Sequence, residues 1–349
     1  MRSELRSLLG FAHSDTVHPK DLAERLRRLA SSERFAAVWL NPRGTGDSVS
    51  FDLSVQRQPS RSGGIGLAYN QELGGRAWLG YSDHRLLGLA VEGSAVARIG
   101  TFRNDLHLML RGNQLLDRQL FNPLISIDLS HEDIRRFDGD GNTLPTMSTR
   151  ELGAFAGYEH EYRDRWWLQG GVMGAAWHDS TRSNAGAAGV TAGIYRVTRQ
   201  GDRLFEVRAE LTSIFRSARA EVMWPISAGR LHVTPRVRYG WGEKLPSQLS
   251  YALGGDEGFP GLHLGERRGD REAYASTLLT YRVLGPLVVR LELAAGATAI
   301  GGDLLPRDGW LAGARTGLGV DTPVGPIRAE YGYNSVQRGT VFIRVGRWF

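Results

Sequence analysis

The chain has 349 residues, a formal net charge of +6 and no cysteine, which excludes a disulfide scaffold and any site that needs a thiolate. Aromatic residues make up 9% and charged residues 23% of the sequence, so the composition is not that of a disordered chain. No apolar run approaches the roughly 20 residues of a membrane-spanning helix. The mean hydropathy of −0.29 also suits strands that alternate between lipid and water.

The first residues predict the end of a small mixed domain. Leucines recur at helical spacing at Leu22, Leu26 and Leu29, and two strands follow over Phe35–Leu40 and Val49–Val55. One helix and two strands make too small a sheet to be stable alone, so we expect a further strand before the chain begins. A minimal helical cap on the larger domain is the alternative. The first fifteen residues contain no signal peptide, so the sequence predicts a missing leader or upstream domain, or else a cytoplasmic protein.

From Gly64 onward the sequence alternates between apolar and polar residues with a period of two. Residues 204–213 and 287–295 place apolar side chains on one face and charged side chains on the other. This pattern is typical of outer-membrane strands, which turn an apolar face to lipid and a polar face to a wet lumen. We expect ion-pair ladders in the lumen, and a path for a substrate is a second use of the same charges. The charged residues predicted to face the lumen are Glu206, Arg208, Glu210, Arg236, Arg238, Arg290 and Glu292.

About sixteen such segments are present, and they predict an all-β membrane protein. The fold class is a 16-stranded antiparallel transmembrane β-barrel with a small amino-terminal α+β module, over residues 63–349 and 1–60 respectively. A soluble β-sandwich is the alternative, but charged inner faces would leave its core unsatisfied. The predicted strands lie near 64–71, 74–83, 89–99, 103–113, 122–136, 147–161, 165–178, 185–198, 203–214, 218–227, 230–241, 272–283, 286–298, 309–321, 325–333 and 339–349.

The connections predict which end of the barrel faces which compartment. Very short turns at 285–286 and 325–326 fall on the side where the chain enters, and the long loops 137–146 and 242–271 fall on the opposite side. Short turns of such barrels face the periplasm and long loops face the exterior. Aromatic residues near strand ends are expected to form girdles at the two interfaces: Trp78, Tyr81, Tyr158, Trp166, Trp167, Trp177, Trp224, Trp241, Trp310, Tyr331, Tyr333 and Trp348.

The loop 251–271 and the strand after it carry a family resemblance. They are similar to the sixth extracellular loop and twelfth strand of the BamA/TamA superfamily, the bacterial surface antigen type of sixteen-stranded barrel. Pro260 takes the place of the arginine at the loop tip, and Leu262 takes the place of an aromatic residue. The tip is closer to that of barrels fused behind patatin-like phospholipases of type V secretion. The matching residues are Gly254, Gly255, Gly261, Gly269, Asp270 and Arg271.

The resemblance extends to both ends of the chain and implies a function. Residues 5–58 resemble a polypeptide-transport-associated (POTRA) domain without its first strand, and the terminal Phe349 resembles the signal that the barrel assembly machinery recognises. It implies passage or insertion of a polypeptide, with a POTRA strand as the edge for a client and a seam that opens laterally. In the family an arginine tip pairs with acidic barrel residues, and Pro260 has no group for that contact.

Other functions have less support in the sequence. No Gly-x-Ser-x-Gly elbow occurs, and the run His178, Asp179 and Ser180 points to different faces, so we predict no catalytic residue and no enzyme. We predict no cofactor and no metal site either, and expect His107 and His232 to be solvated in the lumen. A lipase-like barrel enzyme and a passive channel remain as alternatives.

The basic isoelectric point does not indicate a nucleic-acid partner, because basic and acidic residues alternate along the strands. The local cluster Arg25-Leu26-Arg27-Arg28 is explained by a solvated face or by contact with anionic lipid headgroups. The expected partners are therefore outer-membrane lipid, the assembly machinery and a polypeptide client.

Overall fold

The fold is known from a computed structural model. It describes residues 22, 35–43, 50–57, 59–86, 91–112, 122–138, 140–163, 165–180, 182–198, 203–323 and 325–346. The predicted amino-terminal helix lies outside the described residues except for Leu22, and so does Phe349. No helix in the described part of the chain is long and apolar enough to span a membrane.

The described residues form two small sheets and one closed barrel. Strands β1 and β2 pair with each other as a separate antiparallel sheet, and β15 pairs with β16 inside a long loop. The strands are β1 (Phe35–Arg43), β2 (Ser50–Arg57), β3 (Arg61–Asn70), β4 (Gly74–Asp83), β5 (Val91–Gly100), β6 (Arg103–Gly112), β7 (Asn122–Phe137), β8 (Thr143–Arg163), β9 (Trp166–Asp179), β10 (Arg182–Val197), β11 (Arg203–Thr212), β12 (Arg216–Met223), β13 (Ile226–Ala228), β14 (Leu231–Glu243), β15 (Tyr251–Leu253), β16 (Arg267–Gly269), β17 (Arg271–Leu284), β18 (Leu287–Ala299), β19 (Leu311–Thr322), β20 (Gly325–Asn334) and β21 (Gly339–Val345).

The barrel has sixteen antiparallel strands because β12 and β13 form one interrupted strand. Both pair with β14, and the interruption falls at Trp224 and Pro225, where proline has no N–H to give to the ladder. The prediction of a 16-stranded antiparallel barrel is confirmed. The predicted strands correspond one by one to β3–β14 and β17–β21.

The wall of the barrel has an apolar outer face and a charged inner face. Outward side chains such as Ile65 and Leu67 are 80% and 77% exposed, whereas the inward Glu272 is 2% exposed. This distribution is the reverse of a soluble fold and is the one expected when lipid surrounds the barrel. It follows directly from the period-two alternation, because successive side chains of a strand point to opposite faces.

The predicted aromatic girdle is wrong for three tryptophans. Trp78, Trp167 and Trp177 lie on the inner face of their strands: Trp177 is 8% exposed, and the Trp167 ring stacks on Tyr195 with centroids 6.2 Å apart. Composition near strand ends does not determine the face, since one residue of shift moves a side chain from lipid to lumen. Several of the other predicted girdle residues are exposed outward, namely Tyr81, Tyr158, Trp224, Trp310, Tyr331 and Tyr333.

Long connections gather at one end of the second half of the barrel. The loops 244–270 and 300–310 leave from the end opposite to the tight turn 285–286. In the first half the same end carries the short turns 71–73 and 101–102 instead. In the second half, β14 and β17–β21, the loops are therefore long enough to fold back into the lumen.

Candidate functional site: a loop docked in the lumen beside the barrel seam

The loop 244–270 turns back into the barrel through the short β15–β16 ladder. Tyr251 lies opposite Gly269 in this ladder, and its ring covers Gly240 of β14, where an added Cβ would lie 2.7 Å from the ring carbons. The Tyr251 hydroxyl is 3.0 Å from the carbonyl oxygens of Ala218 and Trp241. The ladder is thereby fixed to the inner wall and directs residues 254–266 into the lumen.

The tip of this loop forms an apolar cluster inside the lumen. Leu253, Phe259 and Leu262 have no exposed surface, and they pack with Tyr274 and Leu311 of the wall. The rings of Phe259 and Tyr274 meet edge to face with centroids 6.4 Å apart. Burial of each large apolar side chain contributes about 1.5–3 kcal/mol, so the tip has a strong preference for the docked position.

Two glycines of the wall make room for the tip. A Cβ at Gly313 would lie 3.0 Å from the Phe259 ring, and a Cβ at Gly332 would lie 2.5 Å from the backbone nitrogen of Gly261. Real Cβ atoms do not approach backbone so closely. The loop therefore rests directly on the backbone of β19 and β20.

Arg315 of β19 holds the backbone of the tip. Its side chain is 3% exposed, and its guanidinium donates hydrogen bonds to the carbonyl oxygens of Gly255 at 3.2 Å and Gly258 at 2.9 Å, and also to that of Asp256. The same guanidinium pairs with Glu292 of β18 at 2.6 Å. One buried arginine thus joins two strands and three loop carbonyls.

The carboxylates of the tip face further arginines of the wall. Arg344 of β21 pairs with Glu257 and lies 3.7 Å from Asp256, while Arg236 donates to the Glu257 carbonyl at 2.9 Å. Burial raises the pKa of Asp256 above its ordinary value. Burial acts to raise the pKa of Glu257 as well, but the charge and hydrogen bond of Arg344 together with the charge of Arg236 outweigh it and lower the pKa of Glu257.

The charges at this contact are reversed relative to those of the BamA/TamA superfamily, which the loop resembles. Pro260 occupies the place of the tip arginine, and it offers only its carbonyl, which lies 3.5 Å from Asn334 Nδ2. Carboxylates and carbonyls come from the loop, and arginines come from the barrel. The sequence did not predict this docking, because Pro260 lacks the charged group through which an arginine tip would bind the barrel.

A second set of contacts fastens the loop at the rim of the barrel. His263 Nδ1 lies 3.0 Å from Glu72 Oε1 in the β3–β4 turn, and the Leu264 N–H donates to the same carboxylate at 3.1 Å. The Phe137 ring of the β7–β8 hairpin stacks on His263 with centroids 5.6 Å apart. The hydrogen bond that His263 donates to the Glu72 carboxylate raises the pKa of His263. The loop is thus tied to the first hairpin as well as to the last strands.

The remaining motif residues shape the two ends of the loop. Gly254 and Gly255 have φ of +112° and +94°, which side chains rarely adopt. Asp270 accepts the Gly301 N–H at 2.7 Å, and Arg271 lies over the Trp241 ring at 5.2 Å. Gly261 has φ of +74°, and a Cβ at Gly269 would lie 2.3 Å from the Ala299 oxygen.

The seven charged residues predicted for the lumen lie on the inner face, each beside an opposite charge. These pairs join neighbouring strands, span from β18 to β20 across β19, or lie within β11. They are Glu206 with Arg203 at 2.6 Å, Arg208 with Glu210 at 2.9 Å, Arg236 with Glu221 at 2.6 Å, Arg238 with Glu272, Arg290 with Glu330 at 2.5 Å, and Glu292 with Arg315 at 2.6 Å. Sequence reasoning missed Arg315 and Arg344, although both occupy the inward phase of alternating strands.

The histidines do not assemble a catalytic or metal site in the described part of the chain. His107 lies 2.5 Å from Asp128, and His232 lies 2.8 Å from the Ser227 hydroxyl. His178 points outward, while Asp179 points inward. No group of three or more metal-ligating side chains occurs among the described residues.

The barrel closes through a short seam between β3 and β21. In the described residues the seam has two residue pairs, Arg344 with Asn70 and Val345 with Tyr69, and one more backbone hydrogen bond from Gln71 at 3.1 Å. By contrast, β20 pairs with β21 continuously over 327–333. Arg344 belongs both to the seam and to the Glu257 contact, so the docked loop and the closure share a residue.

These features define a class: a closed sixteen-stranded barrel with an inward-folded loop beside a short seam. The structure is similar to that of BamA from Haemophilus ducreyi lacking POTRA domains 1-3, with a TM-score of 0.71 and 12% identity over 99% of this chain and 82% of that chain. It is also similar to CdiB from Acinetobacter baumannii, with a TM-score of 0.64 and 12% identity over 99% and 71% of the two chains. For CdiB from Escherichia coli the TM-score is 0.62 and the identity 14%, over 98% and 73%.

Searches with protein-family models and against curated proteins found no match. At 12–14% identity the structural likeness establishes the fold. The fold is that of BamA and CdiB, and the barrel resembles outer-membrane proteins of Gram-negative bacteria. The resemblance to the BamA/TamA superfamily that the loop motif indicates is supported in its fold, and these comparisons give no support to the likeness to patatin-like proteins.

Proposed function

We propose that the protein is an outer-membrane translocator or assembly barrel that transports or inserts polypeptides and has no catalytic role. The observation that carries the proposal is the coupling between the seam and the docked loop through Arg344. Over the described residues the seam has two residue pairs, fewer than neighbouring strands of the barrel share, so fewer ladder hydrogen bonds must break there for the strands to separate. A client strand can then add to the exposed edges of β3 and β21.

In this proposal the loop controls the seam. While Glu257 pairs with Arg344, the last strand is held against the loop and the lumen is partly filled. When a client displaces the loop tip, Arg344 loses this partner, and the seam loses the contact that orients β21. Opening of the seam then gives the client a lateral path into the membrane.

The two ends of the chain take supporting roles in the proposal. Residues 1–60 act as a partial POTRA-like module, in which the β1–β2 hairpin (Phe35–Arg43 and Ser50–Arg57) offers edges to a client. Residues 63–349 form the barrel, and Phe349 serves as the signal for the barrel assembly machinery. A patatin-like hydrolase upstream of the chain, as in type V secretion, is the most specific form of the proposal.

A disulfide across the seam tests the proposal. The chain has no cysteine, so the pair Tyr69→Cys and Val345→Cys, which are opposite each other, gives one defined crosslink. The purified protein in liposomes receives a urea-unfolded eight-stranded outer-membrane barrel, whose insertion is followed by heat-modifiable gel mobility. A second arm uses an unfolded soluble polypeptide and protease protection inside the vesicle.

We expect the reduced variant to support insertion or translocation and the oxidised variant to lose it. The matched control is the pair Ala329→Cys and Ile343→Cys, opposite each other in β20 and β21, where oxidation should have no effect. Equal activity of the oxidised and reduced seam variants would contradict a lateral path. Stable ion conductance without either activity would favour a passive channel, and ester hydrolysis would favour a lipase-like enzyme.

A further inference from the structure

Five polar side chains form a row on the outer wall of the first half of the barrel, a surface that is otherwise apolar. The ladder places Asn104 opposite His131 and His131 opposite Arg150. Arg150 in turn lies opposite His178. His178 Nδ1 continues the row to Asn184 Oδ1 at 2.6 Å. We call this set the outer polar row.

An open apolar concavity of about 720 Å³ lies directly below the outer polar row, and the five row residues border it. Its depth comes from two small outward side chains, Ala97 and Ala176, between larger neighbours. Those neighbours are Ile99, Leu106, Leu129 and Leu152. The size and the lining suit a hydrocarbon chain rather than a polar ligand.

The outer polar row marks the step from apolar to polar surface on this wall. One alternation step below it, Leu129 lies opposite Leu152, and one step above it, Asp133 lies opposite Ser148. Lipid headgroups meet a membrane barrel at such a step. The concavity therefore faces acyl chains, and the row faces headgroups.

Two side chains of the row, Arg150 and His131, have nitrogen atoms without a partner among the described residues. Arg150 is exposed and forms no ion pair with any described residue. Of the neighbouring acids, Glu132 and Glu151 lie on the inner face, and the outward Asp133 lies one alternation step above the row. His131 Nδ1 is buried without a hydrogen-bond partner in the described part of the chain. Arg216 on β12 also points outward, but unlike Arg150 it has an acidic partner, because Glu243 lies 3.8 Å from it.

We propose that this surface binds one anionic membrane lipid, with an acyl chain in the concavity and its phosphate on Arg150 between His131 and His178. Cross-strand neighbours are about 4.5–5.5 Å apart, a spacing at which three adjacent side chains can reach the same phosphate. Arginine binds phosphate oxygens in a bidentate manner. The His131 and His178 rings flank Arg150 on the two neighbouring strands. The proposal rests on the membrane location given under Proposed function, but not on polypeptide transport.

Native mass spectrometry of the full chain tests the site. The detergent-purified protein is titrated with phosphatidylglycerol or with phosphatidylcholine of the same acyl chains, and retained lipid is counted. We expect about tenfold stronger retention of phosphatidylglycerol, because its phosphate carries an uncompensated negative charge, whereas the quaternary ammonium of phosphatidylcholine offsets that charge and would lie near Arg150. A charge-assisted contact of this kind changes binding by about this factor. Arg150→Gln should abolish the preference, and Arg216→Gln should leave it unchanged.

Two further arms separate the parts of the site. Ala176→Trp fills the concavity and should lower retention of both lipids while Arg150 stays in place. Competition by inorganic phosphate at millimolar concentration would show a headgroup site without an acyl-chain site and would overturn the proposal as stated. Equal retention of the two lipids by the wild type, or an unchanged preference in Arg150→Gln, would also overturn it.

Heat-modifiable mobility confirms that each variant is folded. If Arg150→Gln fails this check, the pair His131→Ala and His178→Ala replaces it and should reduce the preference for phosphatidylglycerol. If Arg150→Gln, or the pair that replaces it, loses the lipid preference but keeps insertion activity, the lipid site is independent of the transport function. Loss of insertion with intact lipid preference would contradict the transport function alone.

Discussion

Glycines on the inner wall have different neighbours in the two halves of the barrel. In the first half, aromatic rings lie flat on inward glycines: a Cβ at Gly66 would meet the Trp78 ring at 2.0 Å, and one at Gly171 would meet Phe155 at 2.9 Å. In the second half, the inward Gly313 and Gly332 admit the loop tip instead. In both halves an inward glycine lets another group contact the strand backbone. That group is an aromatic ring of the wall in the first half and the loop tip in the second half.

The charged side chains differ between the halves in the same way. Arg208 of β11 pairs with Glu210 but is 46% exposed, because water reaches this part of the lumen. Arg315 of β19 is 3% exposed and is covered by the loop. An ion pair in water contributes little to stability, whereas a buried charge without its partner is costly. The loop thus turns a solvated ladder into a tightly constrained network.

Removal of Arg315 should have the largest effect on the stability of the barrel and on the docking of the loop. Arg315→Ala leaves Glu292 buried without its partner and releases three loop carbonyls, so we expect a loss of about 3–5 kcal/mol. Urea unfolding in detergent measures the loss, and limited proteolysis within 254–266 measures loop release. The matched change in the first half, Arg208→Ala, should cost about 0–1 kcal/mol. Similar losses for the two variants would contradict the contrast between the halves.

A side chain at Gly332 should displace the loop without removing a charge. Gly332→Leu places a Cβ 2.5 Å from the Gly261 nitrogen, and overpacking of this kind costs about 1–3 kcal/mol. We expect faster cleavage of the loop by protease and an unchanged strand content by circular dichroism. Gly153→Leu is the matched variant, because its Cβ would lie 3.6 Å from the nearest atom of Asp128. A loop equally protected in both variants would show that the tip does not rest on β20.

The strands of the barrel were predictable because their signal is local. Alternation in 204–213 fixes the face of each residue, and turn residues fix the strand ends. The predicted segment 103–113, for example, corresponds to β6 over Arg103–Gly112. The position of the long loop between the eleventh and twelfth barrel strands follows from the same count.

The docked loop was not predictable from the same signals, because its contacts are non-local. Arg315 lies 57 residues beyond Gly258, whose carbonyl it binds, and alternation assigns Arg315 to the lumen without naming a partner. The family pattern pointed away from docking, since Pro260 replaces the expected arginine. The adjacent acids Asp256 and Glu257 were the available signal. Their complement on β19 and β21 became visible only when the strands were placed side by side.

The contact between His263 and Glu72 ties the filled half to the first hairpin and should respond to pH. The pKa of His263 is raised from 6.5 chiefly by the hydrogen bond that its ring donates to the Glu72 carboxylate. Glu266 also favours the protonated form, and Arg135 opposes it. The stabilisation is therefore complete below about pH 6.5 and is lost as pH rises through the higher pKa of the docked state. His263 is 45% exposed, so we expect less than about 1 kcal/mol.

Protease cleavage of the loop measured from pH 5.5 to 8.5 checks this contact. Cleavage should accelerate as the pH rises in the wild type, and His263→Gln should remove the dependence while leaving the Arg315 contacts in place. His232→Gln is the matched control, because that histidine lies 2.8 Å from Ser227 rather than beside the loop. If the pH dependence of cleavage persists in His263→Gln, it arises from other titrating groups, and the prediction is wrong. Since Glu72 lies two residues beyond Asn70 of the seam, loosening of the contact at high pH should also increase hydrogen exchange of the seam amides.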